Sequence, residues 1–155
     1  MRLEEKVIQY LKNSHQSLSI AESCTGGLLG HRVTNIPGSS VVFKGGIVAY
    51  SNAAKTKLLK VPDALITKKG AVSNDVACQM ALGVRSLFKT DFGVGITGIA
   101  GPEGGTLKKP LGLTYIAVNA KKELICLKCI FPGNRLQVKT QAAAQALRLL
   151  LEFLI

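Results

Sequence analysis

The chain changes from a strand pattern to a helix pattern within the segment Ser17-Leu18-Ser19-Ile20-Ala21-Glu22-Ser23-Cys24-Thr25-Gly26-Gly27-Leu28-Leu29. Its first residues alternate polar and apolar side chains, which is typical of a short β-strand. The two glycines permit a tight turn, and apolar residues then recur at Leu28, Leu29 and Val33 with helical spacing. The segment therefore predicts a strand, a polar turn and a helix that ends before Pro37.

The rest of the sequence alternates between helical and extended patterns. Further helices are predicted over residues 3–12, from a cap at Ser51 or Asn52 to Val61, from a cap at Ser73 to Leu87, and from Asn134 to Leu154. Strands are predicted over residues 43–50, 92–97, 111–119 and 124–131, with a loop over 98–110. Alternating helices and strands, followed by a hairpin and a last helix, predict one domain, residues 1–155, with a three-layer α/β/α fold and a mixed sheet.

Composition and charge narrow the classes of partner. Hydrophobic residues make up 47% of the 155 residues, which is enough for one buried core. The net charge of +11 favours anionic ligands. Basic residues occur only singly or in short pairs such as Lys68-Lys69, so no nucleic-acid partner is expected. No apolar run reaches the ~18 residues of a membrane span, and the N-terminus lacks a signal-peptide core, so we expect a cytoplasmic protein.

The cysteines and histidines do not predict a metal site. Cys126 and Cys129 have the spacing of half a zinc site, but they lie in a predicted strand, where residues three apart point to opposite faces. We expect unpaired, buried thiols. His15 and His31 have no clustered acids or cysteines beside them and are expected at the surface. Neither a metal nor a cofactor is expected.

Polar turns follow three predicted strands, at residues 22–27, 50–55 and 97–106. Ligands of such sheets bind beyond the carboxyl ends of the strands. Ser23 and Thr25 either cap the following helix, or Ser23 acts as a nucleophile beside the helix amides. Lys55 is either a solvated helix lysine or a desolvated base, and a serine with a lysine can activate a hydroxyl without histidine. The third turn, taken with the residues that continue it to Gly112, is either a flexible surface loop or an anion site that uses Thr97, Thr106 and Lys109.

Four segments together resemble the CinA C-terminal domain family, the nicotinamide-nucleotide amidases. They are Ala21-Glu22-Ser23-Cys24-Thr25-Gly26-Gly27, residues 46–55 with their Tyr-Ser-Asn-x-x-Lys core, Gly70-Ala71-Val72-Ser73, and residues 97–102 continuing through Lys109-Pro110-Leu111-Gly112. The resemblance covers nearly the whole chain. It implies the stand-alone form of the family, an α/β/α fold, a homodimer and metal-independent hydrolysis of the carboxamide of nicotinamide mononucleotide. The products would be nicotinate mononucleotide and ammonia, in pyridine nucleotide recycling.

The resemblance also implies roles for individual residues. Ser23 matches the family's catalytic serine, Lys55 its lysine and Thr97 the threonine of its Thr-Gly-Ile-Ala-Gly-Pro motif. Arg135 matches the arginine of a Gly-Asp-Arg pattern in which this chain has Asn134 instead of aspartate. The residues expected to bind substrate are Thr25, Gly26, Gly27, Tyr50, Asn52, Gly98, Gly101 and Arg135.

The expected mechanism is acyl transfer through serine. Lys55 accepts the proton of Ser23, which attacks the carboxamide, while amides of residues 25–27 stabilise the oxyanion. Arg135 is expected to bind the substrate phosphate. Two alternatives remain from the sequence: a non-catalytic module that binds a nucleotide or phosphate in the same turns, and a basic nucleic-acid binder.

Overall fold

A computed structural model of the chain describes all residues, 1–155. It contains six α-helices, one short 3₁₀-helix at Ser39–Val41 and five strands. The helices are α1 (Leu3–Ser14), α2 (Leu28–Thr34), α3 (Asn52–Leu59), α4 (Asp63–Lys69), α5 (Asn74–Phe88) and α6 (Arg135–Leu154). The strands are β1 (Leu18–Glu22), β2 (Phe43–Val48), β3 (Phe92–Gly98), β4 (Leu113–Asn119) and β5 (Leu124–Ile130).

The five strands form one sheet in the order β2-β1-β3-β4-β5. β1 lies between β2 and β3 and pairs with both in parallel, with Ala21 opposite Ile47 and Gly95. β4 runs antiparallel to β3, and β5 antiparallel to β4. The sheet is therefore mixed, and β4 and β5 form the predicted hairpin.

Helices cover both faces of the sheet and give the predicted three layers. On one face, apolar residues of α1, α2 and α6 pack with alternate residues of β1, β3 and β4, including Leu18, Val94 and Ile116. On the other face, α3, α4 and α5 enclose a smaller core. Because successive strand residues face opposite sides, each central strand contributes to both layers.

Glycines let α5 lie directly on β3. A Cβ atom at Gly93 or Gly95 would overlap the carbonyl oxygens of Ala81 and Ala77 respectively, both on α5. Only residues without a side chain permit this approach. The contact fixes α5 against the strand that ends at the third polar turn.

One α-helix was not predicted, nor was the short 3₁₀-helix at Ser39–Val41. α4 contains a single buried residue, Ile66, so its apolar pattern is too weak to indicate a helix. Its ends nevertheless have charges of the favourable sign, with Asp63 in the first turn and Lys68 and Lys69 in the last. The other predicted helices and strands are present, with ends shifted by a few residues.

The cysteines and histidines are placed as the sequence indicates, except that only Cys24 is fully buried. All four thiols are free, and Cys78, Cys126 and Cys129 are half-buried. Cys126 packs on the α5 side of β5 and Cys129 on the α6 side. Both histidines are exposed. No group of three or more metal-ligating side chains is present, and none of the helices is both long and apolar enough to cross a bilayer.

Candidate active site

The loops after the parallel strands meet at one edge of the sheet. Ser23 directly follows β1, Lys55 lies in the first turn of α3 after β2, and Thr97 lies near the end of β3. A cavity of about 260 Å³ opens between them, where ligands of such sheets commonly bind. Eight residues predicted for the site line this cavity: Ser23, Tyr50, Asn52, Lys55, Thr97, Gly98, Gly101 and Arg135.

The side chain of Lys55 is enclosed at this edge. Only 1% of the residue's surface is exposed, so the interpretation of Lys55 as a solvated helix lysine is wrong. Its Nζ donates a hydrogen bond to Ser23 Oγ at 2.9 Å and another to the carbonyl oxygen of Tyr50 at 3.1 Å. β2 ends at Val48, which leaves the Tyr50 carbonyl available for this contact.

No carboxylate neutralises Lys55. The three ion pairs of the protein all involve other residues. Burial lowers the pKa of the Lys55 amine, against a smaller opposing effect of the neighbouring Cys24. A buried lysine without a counter-ion favours its neutral form, which has a lone pair. Across the same 2.9 Å contact, the neutral amine can accept the proton of Ser23.

A carboxylate, not a serine, caps α2. Glu22 is buried and accepts hydrogen bonds from the amides of Leu29 at 2.9 Å and Gly30 at 3.0 Å. The alternative role of Ser23 as a helix cap is therefore wrong, and its hydroxyl contacts Lys55 instead. The sequence did not predict this role of Glu22, because a carboxylate at the end of a strand is not at the usual capping position of the next helix.

Three residues predicted to bind substrate do not line the cavity. Thr25 is 1% exposed, and its hydroxyl is buried without a hydrogen-bond partner. The amide of Gly26 is used within the turn, where it donates to the carbonyl oxygen of Ser23 at 3.1 Å. Gly26 and Gly27 both have positive φ, 60° and 103°, so their role in this structure is to form the turn before α2.

The first part of the third turn borders the cavity. Residues Gly98, Ile99, Ala100 and Gly101 line it, and the amides of Ala100 and Gly101 form no hydrogen bond within the protein. Thr97 donates its hydroxyl proton to the carbonyl oxygen of Ala71 at 2.8 Å, which ties β3 to the segment before α5.

The second part of this turn lies elsewhere. Lys109 donates from Nζ to the carbonyl oxygen of Lys69 at 2.6 Å, and Thr106 and Lys109 bond to each other through backbone and side chain. Neither residue lines the cavity. The structure therefore does not bring Thr106 and Lys109 together with Thr97 as an anion site.

Arg135 closes one side of the cavity from the start of α6. Its guanidinium donates to the carbonyl oxygen of Gly101 at 2.7 Å and to the hydroxyl of Tyr50 at 2.8 Å. Asn134 forms no hydrogen bond with this guanidinium. Its side chain caps α6 by accepting from the amide of Gln137 at 2.9 Å. An asparagine serves that function as well as an aspartate does.

Cys24 lies beside Ser23 and also lines the cavity. Burial raises the pKa of its thiol to about 11, and the negative charge of Glu22 contributes to the rise. A thiol with this pKa remains protonated at neutral pH, whereas nucleophilic cysteines react as thiolates. Of the two adjacent side chains, only Ser23 has a base within hydrogen-bond distance.

Two charged residues near the site were not predicted. Glu103 lines the same cavity as the cationic Arg135. Lys139 lies on α6 with its ammonium group beside Gly26. Their signals were available in part, because Glu103 belongs to the third turn and Lys139 follows Arg135 by four residues, on the same helical face.

Fold and site together define an α/β/α domain with a buried serine–lysine pair at the carboxyl ends of its parallel strands. Comparison with known proteins gives the family. The family model for the CinA C-terminal domain matches residues 1–154, and the chain belongs to this family.

The relatives and solved structures agree with this membership. A CinA-like protein of Acidobacterium capsulatum is 50% identical over 145 residues, covering 94% of this chain and 35% of the relative. A CinA-like protein of Pseudothermotoga lettingae is 44% identical over 152 residues, covering 98% of this chain and 37% of the relative. The chain thus spans about a third of the length of these curated relatives.

A crystal structure of the competence/damage inducible protein CihA from Agrobacterium tumefaciens has a TM-score of 0.95 and 36% sequence identity to this chain. The alignment covers 97% of this chain and 92% of that one. The α/β fold of the family is therefore the fold of this protein.

Proposed function

We propose that this domain hydrolyses the carboxamide of nicotinamide mononucleotide to nicotinate mononucleotide and ammonia, with Ser23 as the nucleophile. The observation that carries the proposal is the 2.9 Å contact between Ser23 Oγ and a buried Lys55 without a counter-ion. A lysine in such surroundings is a suitable base for a hydroxyl, and the protein needs no histidine for this step.

The first half of the reaction forms an acyl-enzyme. Lys55 takes the Ser23 proton while Oγ attacks the carboxamide carbon, giving a tetrahedral oxyanion. The free amides of Ala100 and Gly101 are available in the same cavity to stabilise that charge. Lys55 then gives its proton to the departing nitrogen as the C–N bond breaks, which releases ammonia.

The second half regenerates the enzyme. Water gives a proton to Lys55 and attacks the acyl carbon, and the ester bond to Ser23 Oγ breaks with return of that proton to the serine. The products are a carboxylic acid and the starting enzyme. Each proton moves through Lys55, so one group acts as base and acid in turn.

The charges around the cavity support a substrate with an anionic end and a cationic ring. Arg135 presents a guanidinium that is bonded only to neutral acceptors, Gly101 and Tyr50. Guanidinium groups bind phosphate through paired hydrogen bonds. Glu103 provides a negative charge at the same cavity, which suits the pyridinium ring of the substrate.

The test is product formation. Purified protein incubated with nicotinamide mononucleotide and a chelator should release ammonia and nicotinate mononucleotide in equal amounts. The Lys55→Ala variant should lose this activity and keep its circular dichroism spectrum. Lys57→Ala, which changes an exposed lysine on the same helix, is the matched control and should remain active.

Three outcomes would contradict the proposal. Calorimetric binding of the mononucleotide without any product would indicate the non-catalytic module. Unchanged activity in Lys55→Ala would remove the proposed base. Steeply salt-dependent binding to DNA or RNA, without amidase activity, would instead indicate the basic nucleic-acid binder.

A further inference from the structure

Lys139 is a half-buried lysine beside the catalytic turn with no partner in the protein. Its Nζ lies 3.7 Å from the point where a Cβ atom on Gly26 would lie. It donates no hydrogen bond to any protein group and belongs to none of the three ion pairs. A partly enclosed ammonium without an acceptor is available to a ligand.

The nearby acid does not neutralise this charge. Glu22 immediately precedes the turn, but its two carboxylate oxygens accept hydrogen bonds from the amides of Leu29 and Gly30 at the start of α2. Glu22 and Lys139 are not within ion-pair distance of each other. The ammonium therefore faces the turn with its charge uncompensated.

Arg135 and Lys139 occupy one face of α6. Residues four apart on a helix are neighbours, with about 5–6 Å between their Cβ atoms. Arg135 borders the cavity at Gly101, and Lys139 reaches the turn at Gly26. The two cations thus flank the stretch of surface between the third turn and the turn that carries Ser23.

We infer that Arg135 and Lys139 form a subsite for a phosphate monoester beside the cavity, on the side where Arg135 borders it. The guanidinium has further N–H groups beyond those it donates to Gly101 and Tyr50, and the ammonium adds a compact second charge, so together they suit the oxygens of a terminal phosphate. The absence of a side chain at Gly26 leaves the space beside the ammonium open. Assigning this subsite to the 5′-phosphate of the substrate rests on the proposed function.

Binding of ribose 5-phosphate tests the subsite without relying on catalysis, because this probe has the phosphate and the sugar but no carboxamide. Its dissociation constant is measured by calorimetry at fixed ionic strength for the unmodified protein and three variants. Lys139→Gln should weaken binding at least about tenfold, and Lys139→Arg should retain most of it. Lys128→Gln removes the same charge from an exposed position on β5 and should bind like the unmodified protein.

The outcomes separate the subsite from the proposed reaction. If Lys139→Gln and Lys128→Gln weaken binding equally, the loss is explained by the change in net charge alone, and the subsite is overturned. Failure of the unmodified protein to bind ribose 5-phosphate at millimolar concentrations would also overturn it. Binding that depends on Lys139 in a protein that releases no ammonia would support the subsite and reject the amidase. With an active enzyme, Lys139→Gln should raise KM for the mononucleotide more than it lowers kcat.

Discussion

At the scale of single residues, the site is organised around the unfavourable burial of one amine. Lys55 is the largest fully buried side chain, and no acid compensates it. Burial lowers its pKa in the folded protein, so the folded state binds fewer protons than the unfolded state at alkaline pH. Stability from this group therefore rises as the pH rises from the folded pKa toward the unfolded value of about 10.4.

The Lys55→Met variant should reveal this cost. We expect it to be inactive. We also expect the difference in free energy of unfolding, variant minus unmodified protein, to be more positive at pH 7 than at pH 10. The reason is that the unmodified protein gains stability as rising pH deprotonates the Lys55 amine of the unfolded state, whereas a methionine does not titrate. Urea unfolding at the two pH values measures the difference, and a difference independent of pH would contradict the lowered pKa of Lys55.

At the scale of secondary structure, the β1-turn-α2 unit depends on Glu22. Its carboxylate joins the end of β1 to the first turn of α2 through two charge-assisted hydrogen bonds. The same bonds leave the Ser23 hydroxyl free to face Lys55. Negative charge at a helix N-terminus also has a favourable interaction with the helix dipole.

Glu22→Gln should destabilise the protein without changing the residues that react. The amide nitrogen of glutamine cannot accept from a backbone N–H, so one buried donor loses its partner, at a cost of about 1–3 kcal/mol. Chemical denaturation measures this loss. Glu123→Gln, at an exposed position in the β4–β5 turn, is the control and should stay within about 0.5 kcal/mol of the unmodified protein.

The elements were predictable from the sequence where periodicity was strong. Residues 17–29 predicted a strand, a turn and a helix, and β1 and α2 follow that order. The capping of α2 by Glu22 was not predictable, because Glu22 lies seven residues before Leu29 in sequence and only the folded turn brings the two together. α4 was missed for a different reason, since one buried residue, Ile66, gives no helical period.

At the scale of the whole molecule, the parallel order of β2, β1 and β3 brings distant residues to one cavity. The sequence predicted Ser23, Lys55 and Thr97 together because each follows or ends a strand. Lys139 was not predicted, since only the packing of α6 against the sheet brings it to Gly26. Local sequence patterns thus predict which residues lie at the strand ends. They do not predict which residues of a distant helix, such as Lys139, pack beside those ends.

We propose that the protein is a homodimer. β5 is an edge strand that exposes the aliphatic side chains of Leu124, Ile125 and Ile130, and exposed apolar edges favour association. Size-exclusion chromatography with light scattering should give twice the chain mass of 16.4 kDa. A mass of one chain at micromolar concentration would contradict this prediction.

The most direct measurement of the central claim compares kcat/KM for nicotinamide mononucleotide in the unmodified protein, Ser23→Ala and Cys24→Ala. Loss of the nucleophile should lower kcat/KM by at least about a thousandfold in Ser23→Ala. Cys24→Ala should stay within about tenfold of the unmodified protein, because burial keeps the neighbouring thiol protonated. A Ser23→Ala variant that retains its activity, or a Cys24→Ala variant that loses it, would contradict the assignment of Ser23 as the nucleophile.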